Sequence, residues 1–503
     1  MSDLGASVPP GMTSSPPPQP PFPPLTRSLS EAIGVEAVSS SSQRSYSTST
    51  STIAPSQTKS LASNPQPPPP PPPPPSQPAR TRPTLLERLD KACLNLPPSF
   101  FSINMGTGIT SILLYNLPYN ARWLQIIGTI IFVLNVVIFV LLALGNIVRY
   151  VRFKGVFTAV SSHTLAGMFW GCLPMGLVTI VNMIAFVCVP AWGYRWALFA
   201  LGLWWIDVVI SILVNLGMIF MMFTRQKHAA ETMTAAWLLP IVSSVVAAAS
   251  GGVVSSALAP FDPVLARSTV IVSYVVWGTG VPLAMFIITL WIYRTATLGV
   301  PATGALPSVF LPLGPCGQGS FGIMLLGKVV RELAYSYGVG FSIAPAGATS
   351  AVVTASMQNV ADSVYAGGLV AGLVLWGLGF CWYILAFAMI IDHLPSRRDF
   401  FHHSRFSIGL WAITFPIGVF ATATTTLATE LNSPAFKVLG TLLSVQVALH
   451  WLYVSVMTLW KCFDGTIFVA PELASFGGHV PVRWARHQVG DEEKAQPASS
   501  AQA

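Results

Sequence analysis

Asp207 is the residue whose chemistry is hardest to place. In Trp204-Trp205-Ile206-Asp207 it sits about 13 residues into an apolar run, which at about 1.5 Å per helical residue puts a carboxyl group near the middle of a bilayer. An acid at that depth is a functional candidate by default. It is either hydrogen-bonded between helices, the reading favoured here, or a titrating group that couples protons. Gly317-Gln318-Gly319-Ser320-Phe321-Gly322 fits G-x-G-x-x-G, but a proline-broken loop precedes it and an apolar helix follows, so it lacks the strand a dinucleotide site needs. Its glycines either let a neighbouring helix approach or line a pore, where Gln318 and Ser320 would contact an anion. Lys328, Arg331 and Glu332 follow, with Lys328 and Glu332 one turn apart and able to pair. Hydroxyls recur at Thr107, Thr110, Ser111, Thr179, Ser243, Ser244, Ser250, Thr414, Thr422 and Thr424. Most such groups bond the carbonyl one turn back. Those facing a pore would offer an anion weak, neutral donors, which conduction requires.

What is missing is equally informative. His163 and His450 stand alone, and there is no HExxH, nucleophile elbow or P-loop. Six cysteines form no CxxC or Cys/His cluster, so they read as small core residues. No cofactor or metal is expected, and nothing points to an enzyme.

The elements that must carry these residues are membrane helices. Of 503 residues, 52% are hydrophobic and 9% charged, against about 25% charged in soluble proteins. A soluble enzyme or nucleic-acid binder is excluded, and the lipid bilayer is the expected partner. The net charge of +8 comes from Lys and Arg scattered between apolar runs, as in basic cytoplasmic loops. Residues 1–84 hold 22 of the 42 prolines, nine of them consecutive from Pro67 to Pro75. That composition predicts a disordered Pro/Ser-rich tail, read first as a spacer and second as a ligand for SH3 or WW domains. Residues 85–465 form the membrane domain and 466–503 a polar C-terminal tail. No cleaved signal peptide is expected.

Ten stretches are long enough to span about 30 Å of hydrocarbon: 98–118, 122–148, 163–189, 194–223, 236–259, 264–292, 308–327, 361–392, 407–430 and 434–460. The predicted fold is all-α and integral to the membrane. Flanking Lys and Arg number 17 on the side of the N-terminus against 6 on the other, which puts both tails in the cytoplasm.

A repeat runs through the odd-numbered spans. Ile103-Asn104-Met105-Gly106, Leu173-Pro174-Met175-Gly176, Leu239-Pro240-Ile241-Val242, Leu311-Pro312-Leu313-Gly314 and Phe415-Pro416-Ile417-Gly418 recur at spacings of 70, 66, 72 and 104. Each spacing is one helical hairpin plus loops, so the domain reads as five tandem hairpins. Four of the five odd spans carry a proline at the matching place, which predicts kinked helices. Kinks on every second helix predict an inner ring around a pore, with the even helices outside.

Phe100 to Gly108, Pro118 to Trp123, Phe169 to Thr179 and Leu313 to Gly322 resemble the fungal sulfite efflux pumps. Those belong to the tellurite-resistance/dicarboxylate transporter family, which also includes yeast malate permeases and plant slow anion channels. The resemblance covers roughly residues 95–465. It implies ten helices, five of them kinked around a pore, and export of sulfite as HSO₃⁻ or SO₃²⁻ across the plasma membrane. The alternative it implies is a C4-dicarboxylate permease. Channel members of the family gate the pore with a phenylalanine, and Phe415 matches that position. The implied pathway includes Asn104, Gly106, Thr107, Pro174, Gly176, Pro240, Ser243, Pro312, Gln318, Ser320, Pro416 and Thr422. Lys328 and Arg331 fall at the outer mouth. Proton coupling and assembly into a homo-oligomer stay open.

Overall fold

A computed structural model describes residue 90 and residues 92–393, 406–463, 465–468 and 470–473. The proline-rich segment 1–84, the basic residues Arg397, Arg398 and Arg405, and residues 474–503 lie outside the described residues.

Ten helices carry the fold: α1 (Phe101–Tyr115), α2 (Arg122–Arg152), α3 (Cys172–Met183), α4 (Tyr194–Thr224), α5 (Leu238–Leu258), α6 (Pro263–Leu298), α7 (Leu313–Ser336), α8 (Ser350–His393), α9 (Trp411–Glu430) and α10 (Pro434–Phe463). There is no strand among the described residues. Nine helices there are long and apolar enough to cross a membrane. These runs include the 3-10 and π turns that continue a helix, so that α3 belongs to Ala166–Trp192, and α1 is the helix of the ten that is not among them. Of the ten expected spans, nine meet length and hydropathy together among the described residues, and α1 joins them as a tenth member of the arrangement.

The odd helices form a closed ring. α1 packs on α3, α3 on α5, α5 on α7, α7 on α9, and α9 back on α1. Each even helix packs on the odd helix before it and on the one after it, α10 bridging α9 to α1. Composition explains the partition. The inner α5 is rich in Ala, Ser, Gly and Val, which let backbones approach, and its most apolar window is 100% buried, against 17% for the outer α8. The outer helices present Leu213, Phe220, Phe223, Val275 and Leu459 outward, where lipid replaces water.

Every inner helix opens with a 3-10 segment: Pro98–Phe100, Ala166–Gly171, Ala235–Trp237, Thr303–Phe310 and Ile408–Leu410. This revises the expected mid-helix kinks. Pro174 and Pro240 are third in their α-helices and Pro312 is the N-cap of α7. A proline so near a helix start has no N–H to satisfy and breaks nothing. Only Pro416 lies inside its helix. The third span also holds a π-helical turn, Ile184–Cys188, after α3, for which the sequence carried no signal.

Two boundaries move. α8 starts 11 residues before the predicted 361, because the helix outlasts the apolar window. The polar tail expected from 466 begins later. Ala470, Glu472 and Leu473 are buried and Phe468 stacks on Phe100 at 5.8 Å. Glu472 meets Arg149 at 2.8 Å, both side chains buried, and Arg149 also donates to the Leu96 carbonyl at 3.2 Å.

Candidate functional site

Two cavities that take residues from the inner helices meet at one side chain. The larger, about 390 Å³, takes residues from all five inner helices: Ile109 and Leu113 of α1, Thr179 and Asn182 of α3, Val253 of α5, Gln318 and Lys328 of α7, Thr422 and Glu430 of α9. It opens among their C-terminal ends. The smaller, about 20 Å³, lies among their N-terminal ends, with Met105, Met175, Leu238, Leu311 and Trp411 in its wall, and has room for about one water. All five inner helices therefore point the same way. Phe415 lines both cavities, so its ring stands between them.

The polar groups on the larger wall divide by what their hydrogens already do. The Thr422 hydroxyl donates to the Gly418 carbonyl at 3.1 Å, and those of Thr425 and Thr426 to the Thr422 carbonyl at 2.9 Å. The Thr179 hydroxyl donates to Gly176 O at 2.7 Å and accepts from Asn135 of α2 at 3.0 Å. These threonines turn lone pairs, not protons, to the cavity, which revises the expectation of hydroxyl donors. Amides supply the donors. Ser250 donates to Asn182 Oδ1 at 2.6 Å, which leaves the Asn182 NH₂ as the free end, and Gln318 stands on the same wall.

The remaining predicted pathway residues sit in helix interfaces. Asn104 donates to the Asn135 side chain and carbonyl at 3.1 Å. Thr107 accepts from the Trp451 indole at 3.1 Å. A Cβ on Gly106 would lie 2.6 Å from the Trp411 ring, and one on Gly176 3.1 Å from Asn104 Cβ. Ser243 donates to the Ser211 carbonyl of α4 at 3.3 Å and to Pro240 O of its own helix at 2.6 Å, and Ser320 donates to Gly372 O at 2.7 Å. Pro174, Pro240 and Pro312 are on neither cavity wall, whereas Pro416 lines the smaller one. Of the three glycines in the G-x-G-x-x-G run, Gly317 faces α9, where a Cβ would meet the Phe420 backbone nitrogen at 2.7 Å, and Gly322 faces Ala249 of α5 at 3.0 Å. Close helix approach explains them. Asp207 is fully buried on α4 with neither oxygen in a well-formed hydrogen bond, and Ser211 one turn on lies against it.

The mouth charges are paired differently than expected. Lys328 meets Glu430 of α9 at 2.8 Å, not Glu332, because the ring brings α7 and α9 together. The second Glu430 oxygen accepts from the Tyr365 hydroxyl at 2.7 Å. Arg331 leans onto α8, with Asp362 at 2.9 Å and the Tyr365 ring centre at 5.0 Å, and is not on the cavity wall. His163 accepts the amides of Leu165 and Ala166 at 3.2 and 3.1 Å, a cap on the third span's 3-10 turn. Sequence reasoning missed Asn182, Glu430 and the lower threonines Thr425, Thr426 and Thr429. The threonines had a signal, since spacings of three, four and seven from Thr422 share one helix face. Glu430 had none, because its partner lies 102 residues away.

Two cavities parted by one aromatic ring, the larger with amide donors and no net charge on its wall, have room and chemistry for a small anion. A family model described as voltage-dependent anion channel matches residues 95–459. A sulfite efflux pump of Arthroderma benhamiae is 42% identical over 377 residues, covering 75% of this chain and 93% of that protein. The sulfite efflux pump of Saccharomyces cerevisiae is 25% identical over 384 residues, covering 69% and 82%. A malic acid transport protein of Schizosaccharomyces pombe is 22% identical over 355 residues, covering 70% and 75%. The match to the whole helical ring, together with the extent of the 42% relative, shows that the chain belongs to the voltage-dependent anion channel family.

Proposed function

We propose that this protein exports sulfite across the plasma membrane, with the anion passing along the axis of the inner ring. The observation that carries the reading is the cavity of about 390 Å³, shared by all five inner helices, with Phe415 at its closed end. Phe415 is its gate: a ring that fills the path must turn aside for an anion to pass. Gln318 and Asn182 replace part of the anion's hydration with neutral amide hydrogens, weakly enough for release. With both tails cytoplasmic, the wide cavity faces outward and the small one inward. A negative-inside potential then drives each exported charge by about 2.3 kcal/mol per 100 mV. The chain acts as a conduit and not as an enzyme, with Asp207 in a structural role.

A dicarboxylate fits less well. Malate carries two carboxylates that call for fixed cations, and the cation on the cavity wall, Lys328, is already held by Glu430 at 2.8 Å. Anion flux in proteoliposomes at a set potential tests the reading, comparing sulfite with malate, chloride and nitrate. Sulfite flux well above malate flux is expected. Malate flux equal to or above that of sulfite would overturn it.

A further inference from the structure

We propose that Glu430 is a charge filter, which restricts the conduit to singly charged anions and makes bisulfite, not sulfite dianion, the carried form. This rests on the reading of the cavity as an anion path and deepens it.

Among the cavity-lining residues, Lys328 and Glu430 are the charged ones. They form one pair at 2.8 Å, with the Glu430 side chain only 7% exposed. Both carboxylate oxygens are engaged, one by the Lys328 ammonium and one by the Tyr365 hydroxyl at 2.7 Å. Glu430 is thus fixed on the wall, at the last residue of α9, and cancels the positive charge an incoming anion would meet. The neighbouring pair, Arg331 with Asp362 at 2.9 Å, also sums to zero. Glu332 on α7 is not part of the lining.

That cancellation decides valence. The cost of stripping water from an ion rises with the square of its charge, while attraction to dipoles such as amides rises only with its first power. A path with zero net charge and a few neutral donors therefore admits a monoanion and rejects a dianion of the same size. A free lysine would reverse this, because a fixed cation attracts a dianion twice as strongly as a monoanion.

The test uses ions of constant charge, so that no titration intrudes. Methanesulfonate and sulfate are both tetrahedral sulfur oxyanions, with one and two charges. Their fluxes are measured with the full chain in proteoliposomes, alongside sulfite buffered where it is mostly monoanion and where it is mostly dianion. Wild type is expected to pass methanesulfonate and monoanionic sulfite well and sulfate poorly. Glu430→Gln frees Lys328 and is expected to raise the sulfate-to-methanesulfonate ratio about tenfold, a modest fraction of one charge–charge interaction at short range. Lys328→Gln leaves Glu430 unopposed and should lower both fluxes, sulfate more. The double variant restores zero net charge and should return the ratio to the wild-type value, a result no general loosening of the mouth would give. Sulfate flux equal to methanesulfonate flux in wild type overturns the proposal, as does a Glu430→Gln ratio unchanged at measurable flux. Should Glu430→Gln alone fail to assemble, a double variant whose ratio departs tenfold from wild type does the same. Failure of the substrate reading looks different: methanesulfonate passes and its ratio to sulfate responds to Glu430→Gln, but sulfite does not pass.

Discussion

Glu472→Ala should destabilise the whole membrane domain, although it lies beyond the last long helix. Arg149 and Glu472 are 2.8 Å apart with side chains 0% and 1% exposed. The guanidinium has further partners in Leu96 O at 3.2 Å and Tyr150 Oη at 3.4 Å, but both are neutral. Removing the carboxylate leaves a buried cation without its counter-charge, a change that costs about 3–5 kcal/mol in comparable pairs. Replacing both partners by apolar residues, Arg149→Met with Glu472→Leu, removes the buried charge and should cost much less, since such swaps are often neutral or stabilising. The assay is the apparent melting temperature of purified protein in detergent, read by loss of the monodisperse peak at one fixed heating rate, because membrane proteins of this size unfold irreversibly. A fall of roughly 5 °C or more is expected for the single variant, with most of it recovered in the double variant. A single variant that melts with wild type would refute the reasoning, since a buried, uncompensated arginine cannot be free of cost.

Two further outcomes bear on transport. Phe415→Ala joins the two cavities that the ring now separates, so anion conductance should rise severalfold at equal surface expression, and unchanged current in voltage-clamped cells would reject a gate there. Asp207→Asn keeps the shape of a side chain buried on an outer helix, so sulfite flux and its voltage dependence should persist. Wild-type flux driven by a pH gradient at zero potential, and lost in the Asn variant, would instead make Asp207 a proton carrier.

The ring was legible because a helical hairpin repeats its sequence as well as its shape. The tetrapeptides around Asn104, Pro174, Pro240, Pro312 and Pro416 each fall shortly after or at the end of a 3-10 turn, so matched residues marked matched backbone. Most of the predicted pathway residues do not line the two cavities, although Gln318, Thr422 and Pro416 do. Small and kink-prone residues are as useful between helices as along a pore, and Gly106, Gly176 and Ser243 meet neighbouring helices. Which face of an inner helix meets the axis depends on rotation by its neighbours, and helix α5, buried all round, has no periodicity to reveal it. The charge pairs were illegible for another reason. Lys328 had Glu332 one turn away, and only ring closure shows that Glu430 lies closer.

Ring closure through an odd number of joints also limits how the molecule can move. Carriers that rock two halves about a midplane site are built from two matching repeats, and the halves part along a seam. Five repeats cannot be split into two equal bodies. Any division would have to open two inner joints, of which α7–α9 is closed by Gly317 on the Phe420 backbone and α1–α3 by Gly176 on Asn104. Nothing in such a scaffold needs to swing. The moving part can be as small as one aromatic side chain. A cell relying on this protein would then rid itself of an acid anion at a rate set by the voltage across its membrane, without waiting for a carrier to turn over.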